Sequence, residues 1–277
     1  MREHYNYEHL HNNIYGVHGY SSKAMHNEFH LHNCYEIYFF LQGDVNYFVE
    51  KSCYKLQKGN LLIFNSQEIH KVVSLSDAPY ERIVIHLNPQ IIQPLCTEKT
   101  DLLACFHNHE IGQNNITLLD ETRTNHFLSL ALQLIRNLEN DTYGSDVLPM
   151  TYLVQLLVMI NEIFHDKKQT MTSILSTKII PLLQYIDTHL TQDLSLDYLS
   201  KVMNLDKYYL SHLFKQNTGS TVYQYILAKR IALSKQLLLQ GRSVTEACEL
   251  SGFNDYSNFI RTFKKATGIS PGSFIRP

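Results

Sequence analysis

The chain has no uninterrupted apolar run of about 18 residues, the length a helix needs to cross a bilayer. Its first residues, MREHYNYEHLHNN, lack the apolar stretch of a secretory signal. Both absences argue against a membrane partner and lead to the expectation of a cytoplasmic protein. Cysteine is sparse: Cys34, Cys53, Cys96, Cys105 and Cys248 make an odd count, lie far apart and form no CxxC pair. That pattern fits reduced, buried thiols better than a disulfide framework. Net charge is also nearly absent, at -2, so the chain as a whole is neither a polyanion nor a polycation.

The small total conceals an asymmetry. Residues 178–277 carry 12 Lys+Arg against 7 Asp+Glu, whereas residues 1–177 carry 12 against 19. The C-terminal part therefore suits a polyanionic partner. Histidine divides the other way, with 13 of 15 in residues 1–165. A chain of 277 residues that is 44% hydrophobic can bury two ordinary cores, and these contrasts in chemistry predict two domains.

Short apolar and aromatic runs at 35–41, 45–49, 60–64 and 80–87, separated by turn residues, predict strands of a β-sandwich or barrel. Over residues 118–165 the period changes. Phe127, Leu130, Leu134 and Leu138 share one helical face, and Leu148, Tyr152, Leu156, Met159 and Ile163 share another. This predicts a helical hairpin, whose two faces are either core of the domain or, as preferred here, a dimer contact. Residues 166–176 form the expected linker, and residues 177–277 are expected to be helical throughout. The fold class is thus α+β, with residues 1–165 as the first domain.

The last hundred residues contain an internal repeat: SLDYLSKVMNLDKYYLSHLFKQNTG (195–219) aligns with SVTEACELSGFNDYSNFIRTFKKATG (243–268), both ending in FK-x-x-TG. In each copy a serine, Ser195 or Ser243, caps a short helix. Leu196, Leu199 and Val202, or Val244, Ala247 and Leu250, form its expected inner face. A tight turn follows, then a second helix burying Leu210, Leu213 and Phe214, or Phe259 and Phe263. Two short helices joined by a tight turn, the second with an exposed polar face, make a helix-turn-helix, and its second helix enters a major groove. Residues 221–241 between the copies read as one helix with Tyr225, Ile226, Ala232, Leu233 and Leu237 inward.

The ending GFNDYSNFIRTFKKATGISP (252–271) resembles the AraC/XylS family of transcription regulators over about residues 178–277. The resemblance implies a double-stranded DNA partner, and base contacts from Tyr208, Ser211 and His212 in the first motif and Tyr256, Ser257, Asn258 and Arg261 in the second. A guanidinium such as Arg261 can donate two hydrogen bonds to guanine. His212 stands where the family often has arginine. Lys207, Lys215, Lys264 and Lys265 suit phosphates. The resemblance further implies a homodimer, RNA polymerase as a partner, and activation rather than repression.

In the N-terminal part, HLHNCYEIYFFLQG (30–43) fits H-x-H-x3-E-x6-G, and GNLLIFNSQEIH (59–70) sets a glycine eleven residues before a histidine. These segments resemble the two motifs of a cupin barrel, which implies His30, His32, Glu36 and His70 as ligands of a divalent metal. The second motif departs from the pattern at Asn65, Gln67 and Ser74. The alternative implied by the same family is a small polar effector, with carbohydrate the first class by analogy, held without metal by His30, His32, Glu36, Tyr38 and His70. Tyr35 and Tyr47 are further candidate walls. A metal-dependent cupin enzyme with an accessory helical domain is the rival function. The DNA-reading repeat argues against it, so no catalytic residue and no enzymatic activity are expected.

Overall fold

The computed structural model describes residues 13–22, 28–165 and 173–276. Residues 166–172, most of the expected linker, lie outside the described residues. Among the described residues, the N-terminal unit has eight strands: β1 (Ile14–Ser21), β2 (Tyr35–Gln42), β3 (Val45–Val49), β4 (Ser52–Lys55), β5 (Asn60–Phe64), β6 (His70–Ser74), β7 (Tyr80–Leu87) and β8 (Ile116–Leu118). The first sheet is ordered β1-β7-β2-β5-β8 and the second β4-β3-β6. All pairings between these strands are antiparallel. Beyond the four strands expected from the sequence, the structure adds β1, β4, β6 and β8.

The run YEIYFFL lacks polar alternation because its strand is covered on both faces. Tyr38 and Phe40 point between the sheets with Tyr47, Phe64 and Tyr80. Ile37 and Phe39 point the other way, onto two long helices, α3 (Glu121–Glu139) and α4 (Leu148–His165). Two short helices, α1 (Pro89–Ile92) and α2 (Ala104–His107), add Ile92, Cys105 and Phe106 to the same core. α4 is long and apolar enough to span a bilayer by length and composition, yet Leu153, Leu156, Leu157 and Ile160 are fully buried in the domain.

The same packing corrects the expected dimer contact. Phe127, Leu130, Leu134, Leu156, Met159 and Ile163 are all buried in one core with the sheet, so the apolar faces of the hairpin are spent inside the domain.

The C-terminal unit comprises α5 (Ile180–Thr188), α6 (Leu196–Val202), α7 (Lys207–Thr218), α8 (Val222–Leu239), α9 (Val244–Leu250), α10 (Tyr256–Thr267) and α11 (Pro271–Phe274). Side chains of Ser195, Asp206, Ser243 and Asp255 accept amide hydrogen bonds at the starts of α6, α7, α9 and α10. Gly219 and Gly268 end α7 and α10 in the left-handed conformation. Leu199, Ala247, Leu210, Leu213, Phe214, Phe259 and Phe263 are buried as expected, whereas Val202 and Leu250 are exposed. Each of those two ends a seven-residue helix, beyond the reach of its partner.

α8 departs most from expectation. Tyr225, Ile226 and Ala232 are buried, but so are Ile231, Ser234, Lys235 and Leu238, while Leu233 and Leu237 are only half-buried. The helix is covered on two sides because the N-terminal unit packs on it: Phe29, Leu31, Phe48, Cys53 and Ile69 join the core of the helical unit. The Phe29 ring meets that of Tyr225 edge-on at 5.2 Å.

Candidate functional site

Two sites emerge, one on the recognition helices and one between the units. On α7, Lys207, Tyr208, His212 and Lys215 are exposed, Tyr208 at 83%, and Ser211 is half-buried. On α10, Tyr256, Ser257, Arg261, Lys264 and Lys265 are exposed and Asn258 is half-buried. Apolar residues of each helix face the core, which leaves these side chains on the outer surface. Arg261 Nη2 donates to Asn258 Oδ1 at 3.1 Å, which pre-orients the guanidinium. Lys207 pairs with Asp197 at 2.7 Å and its ammonium is held above its ordinary pKa mainly by that hydrogen bond. Lys265 also borders the cavity described next, so it serves two surroundings.

The second site is a chamber at the mouth of the β-sandwich. His30 and His70 pair across an isolated β-bridge, with His30 N–H donating to His70 O at 3.1 Å and His70 N–H to His30 O at 2.9 Å. Alternation along the extended segment sends His30 and His32 to the same side, and their rings lie 5.1 Å apart. Glu36 on β2 stands opposite His86 on β7 in the strand register. The buried Glu36 Oε2 lies 2.9 Å from His32 Nε2, 3.1 Å from His86 Nε2 and 3.3 Å from His70 Nε2.

Burial and the neighbouring His70 hold His30 well below the ordinary imidazole pKa, and burial with His86 pushes His32 down to about 4. Burial alone raises the Glu36 carboxyl, but the imidazoles of His70, His32 and His86 around it outweigh that and hold it well below the carboxylate range. The chamber is thus a carboxylate ringed by imidazoles.

Four of the five sequence-predicted residues, His30, His32, Glu36 and His70, come together. Tyr38 does not join them: it is buried between the sheets, its hydroxyl 2.5 Å from that of Tyr80. Its strand parity matches that of Glu36, but the strand carries it one step deeper, into a filled interior. Tyr47 is likewise core, stacked on Phe64 at 5.5 Å, and Tyr35 bonds His107 at 2.7 Å.

Sequence reasoning missed His86, Arg82 and Lys235. For the first two a signal existed, since Arg82 and His86 alternate with apolar residues in YERIVIHL and so share one face with Val84.

Above the chamber opens a cavity of 1110 Å³. Its walls include His30, His32, His86 and Arg82 from the sheet unit and Leu227, Ile231 and Lys235 from α8. Lys235 Nζ donates to His32 O at 2.7 Å and Ser66 O at 3.1 Å, and burial pushes its pKa down to about 7. Further polar contacts join the units, among them Lys51 Nζ with Asp187 Oδ2 on α5 at 3.3 Å. Lys229 on α8 pairs with the buried Glu50, Lys71 Nζ donates to Ser220 Oγ at 2.7 Å, and Gln224 Nε2 donates to Glu28 Oε1 at 2.9 Å.

Residues 12–157 match the family described as AraC-like ligand binding domain, and residues 199–276 match a helix-turn-helix domain family. The probable transcriptional regulator LumQ of Photobacterium leiognathi is 26% identical over 88% of this chain and 90% of its own length. The arabinose operon regulatory protein of Salmonella typhimurium is 33% identical over 56% of this chain and 55% of its own length. Among solved structures, ToxT from Vibrio cholerae aligns over 95% of this chain and 98% of its own at 14% identity, with a TM-score of 0.42.

Proposed function

The chain belongs to the AraC family of DNA-binding transcription regulators with a ligand-binding domain, and from that premise we propose that a small polar molecule held in the interdomain cavity sets how its reader meets DNA. Residues 1–165 are the effector unit, 166–176 the linker and 177–277 the reader. The observation that carries this reading is that one cavity is walled at once by the sensor's histidines and by α8, the helix that joins the two helix-turn-helix motifs. A molecule bound there touches both units, so its affinity depends on how they are docked, and that difference is what allows it to shift the equilibrium.

His30, His32, Glu36, His70, His86, Arg82 and Lys235 supply hydrogen bonds of both senses to the effector, and carbohydrate is the first class to test. Tyr208, Ser211, His212, Tyr256, Ser257, Asn258 and Arg261 read bases, while Lys207, Lys215, Lys264 and Lys265 bind phosphates. The protein works in the cytoplasm as a homodimer that activates transcription through RNA polymerase. With the apolar hairpin faces spent in the core, such a dimer forms through other surfaces.

The test has two arms on the full chain. Binding to duplex DNA is followed against salt concentration, where log K should fall linearly with log salt at about 0.9 per phosphate neutralised. A flat salt response removes the DNA role. A panel of sugars and other small polar compounds is screened by thermal shift, where a ligand of the native state raises Tm. A hit that also binds an Ile231→Trp variant with unchanged affinity removes the cavity from the account.

A further inference from the structure

We propose that Arg230 is a positioning residue for DNA reading: its guanidinium braces the entry of the first helix-turn-helix against the turn of the second, so that α7 and α10 meet a duplex as one rigid pair. This role rests on the proposed base contacts of both recognition helices, and the experiment separates failure of that reading from failure of the brace.

α8 is joined to the motifs through a glycine at each end, Gly219 at a φ of +66° before it and Gly241 at +83° after it. A Cβ at Gly241 would stand in open space. Turns on glycine bend easily, so α8 by itself sets the distance between the motifs better than their mutual orientation.

The internal repeat shows where orientation is held. Asn204 and Gly252 occupy equivalent positions, and both are left-handed, with φ of 51° and 86°. Asn204 is exposed, whereas Gly252 is buried. The turn conformation alone therefore admits asparagine. What demands glycine in the second copy is a neighbour: a Cβ there would lie 2.3 Å from Leu190 O and 3.0 Å from both Thr191 Cα and Arg230 Nε. Leu190 and Thr191 belong to the segment between α5 and α6, so the turn of the second motif packs directly on the entry to the first.

Arg230, at the middle of α8, closes this contact. Its Nε donates to Leu190 O and its Nη2 to Gln192 O, each at 2.9 Å. Holding two carbonyls at once suits the planar fork of a guanidinium, which the point charge of a lysine does not reproduce. The held segment runs straight into the first motif, because Asp193 accepts from Ser195 N–H at 2.8 Å and Ser195 caps α6. On the other side, Phe253 follows Gly252 into the core and meets the Phe259 ring of α10 at 5.1 Å. The brace thus ends on α6 in one direction and on α10 in the other. A rigid pair of heads matches one separation of sites along a duplex, whereas a loose pair tolerates several.

The experiment uses the full chain and a duplex that the wild type selects from a random-sequence pool. One base pair is then inserted between the two segments it contacts, which moves the second by about 3.4 Å and turns it by about 35°. The wild type should lose about thirtyfold in affinity on insertion, and Arg230→Lys, which keeps the stem and the charge but not the fork, less than about fivefold. Arg230→Ala is measured against salt: a brace leaves the slope of log K as in the wild type, whereas a lost phosphate contact lowers it by about 0.9. Urea unfolding sets the temperature at which each variant is folded, and Arg230→Lys decides the outcome if Arg230→Ala does not fold. Equal insertion penalties in the wild type and Arg230→Lys, or a lowered salt slope in Arg230→Ala, overturn the brace alone. A wild type indifferent to the insertion removes two-headed reading, and the brace with it.

Discussion

Arg261 and Gly252 show how much single residues of the second helix-turn-helix must do. Arg261 is exposed and steadied by Asn258, so in the proposed base contact little ordering entropy would remain to be lost. Arg261→Ala should weaken specific DNA binding by about 1–3 kcal/mol and relax preference at one base pair. Competition binding on operator variants checks this, and an unchanged preference excludes the role. Gly252 is required by the turn: its φ is +86°, and an added Cβ would lie 2.3 Å from Leu190 O. Gly252→Ala should therefore destabilise the fold by about 1–3 kcal/mol in urea unfolding. A variant as stable as the wild type would show that the turn relaxes freely. The Gly252 turn and the exposed polar face that carries Arg261 were legible beforehand, since both are local features. His86 was harder to see because its chamber partners, Glu36 and His32, lie 50 and 54 residues away in sequence.

At the scale of elements, α8 is the part whose surroundings decide its composition. Ala-Lys-Arg-Ile and Ser-Lys-Gln look like ordinary exposed helix, yet Lys229 is largely buried and Lys235 is buried. Lys229 meets Glu50, which sits between β3 and β4 at a positive φ of 52°, a conformation non-glycine residues rarely adopt. The Glu50 carboxylate also accepts from Ile69 N–H at 2.8 Å. Burial raises the Glu50 carboxyl pKa despite Lys229, while Glu50 and Asp187 outweigh burial and raise Lys229.

Removing one partner strands the other charge. Lys229→Met should cost roughly 3–5 kcal/mol, and Glu50→Gln with Lys229→Met should recover much of it. Urea unfolding of the single and double variants checks this, and additive losses would show that the pair does not couple.

For the molecule as a whole, the decisive feature is that the cavity above the sensor's chamber is walled partly by the reader. α8 lines it, Phe29 reaches into the reader's core, and Ile174 N–H donates to Cys53 O at 2.8 Å, laying the end of the linker along β4. The two units are therefore coupled by apolar contact, by buried ion pairing and by the chain that joins them. His30→Ala with His32→Ala should abolish the response to effector while leaving bare DNA affinity within about twofold, because neither ring touches the recognition helices. Gel-shift titrations with and without ligand check this, and an unaltered response would place the effector elsewhere.

The sequence by itself determined what depends on near neighbours: the repeated helix-turn-helix, the caps and turns, the strand-rich first half, and the histidines at positions 30, 32 and 70 with Glu36. Periodicity, capping chemistry and spacing act over a few residues, so they are written locally. Only the tertiary structure decided which faces are covered. It sent the hairpin's apolar faces into the sensor core, filled the barrel with Tyr38 and Tyr47, added His86 to the chamber, and turned α8 into a shared wall. Burial is a property of what packs opposite a residue, and the partner here lies up to two hundred positions away, where no local pattern can specify it.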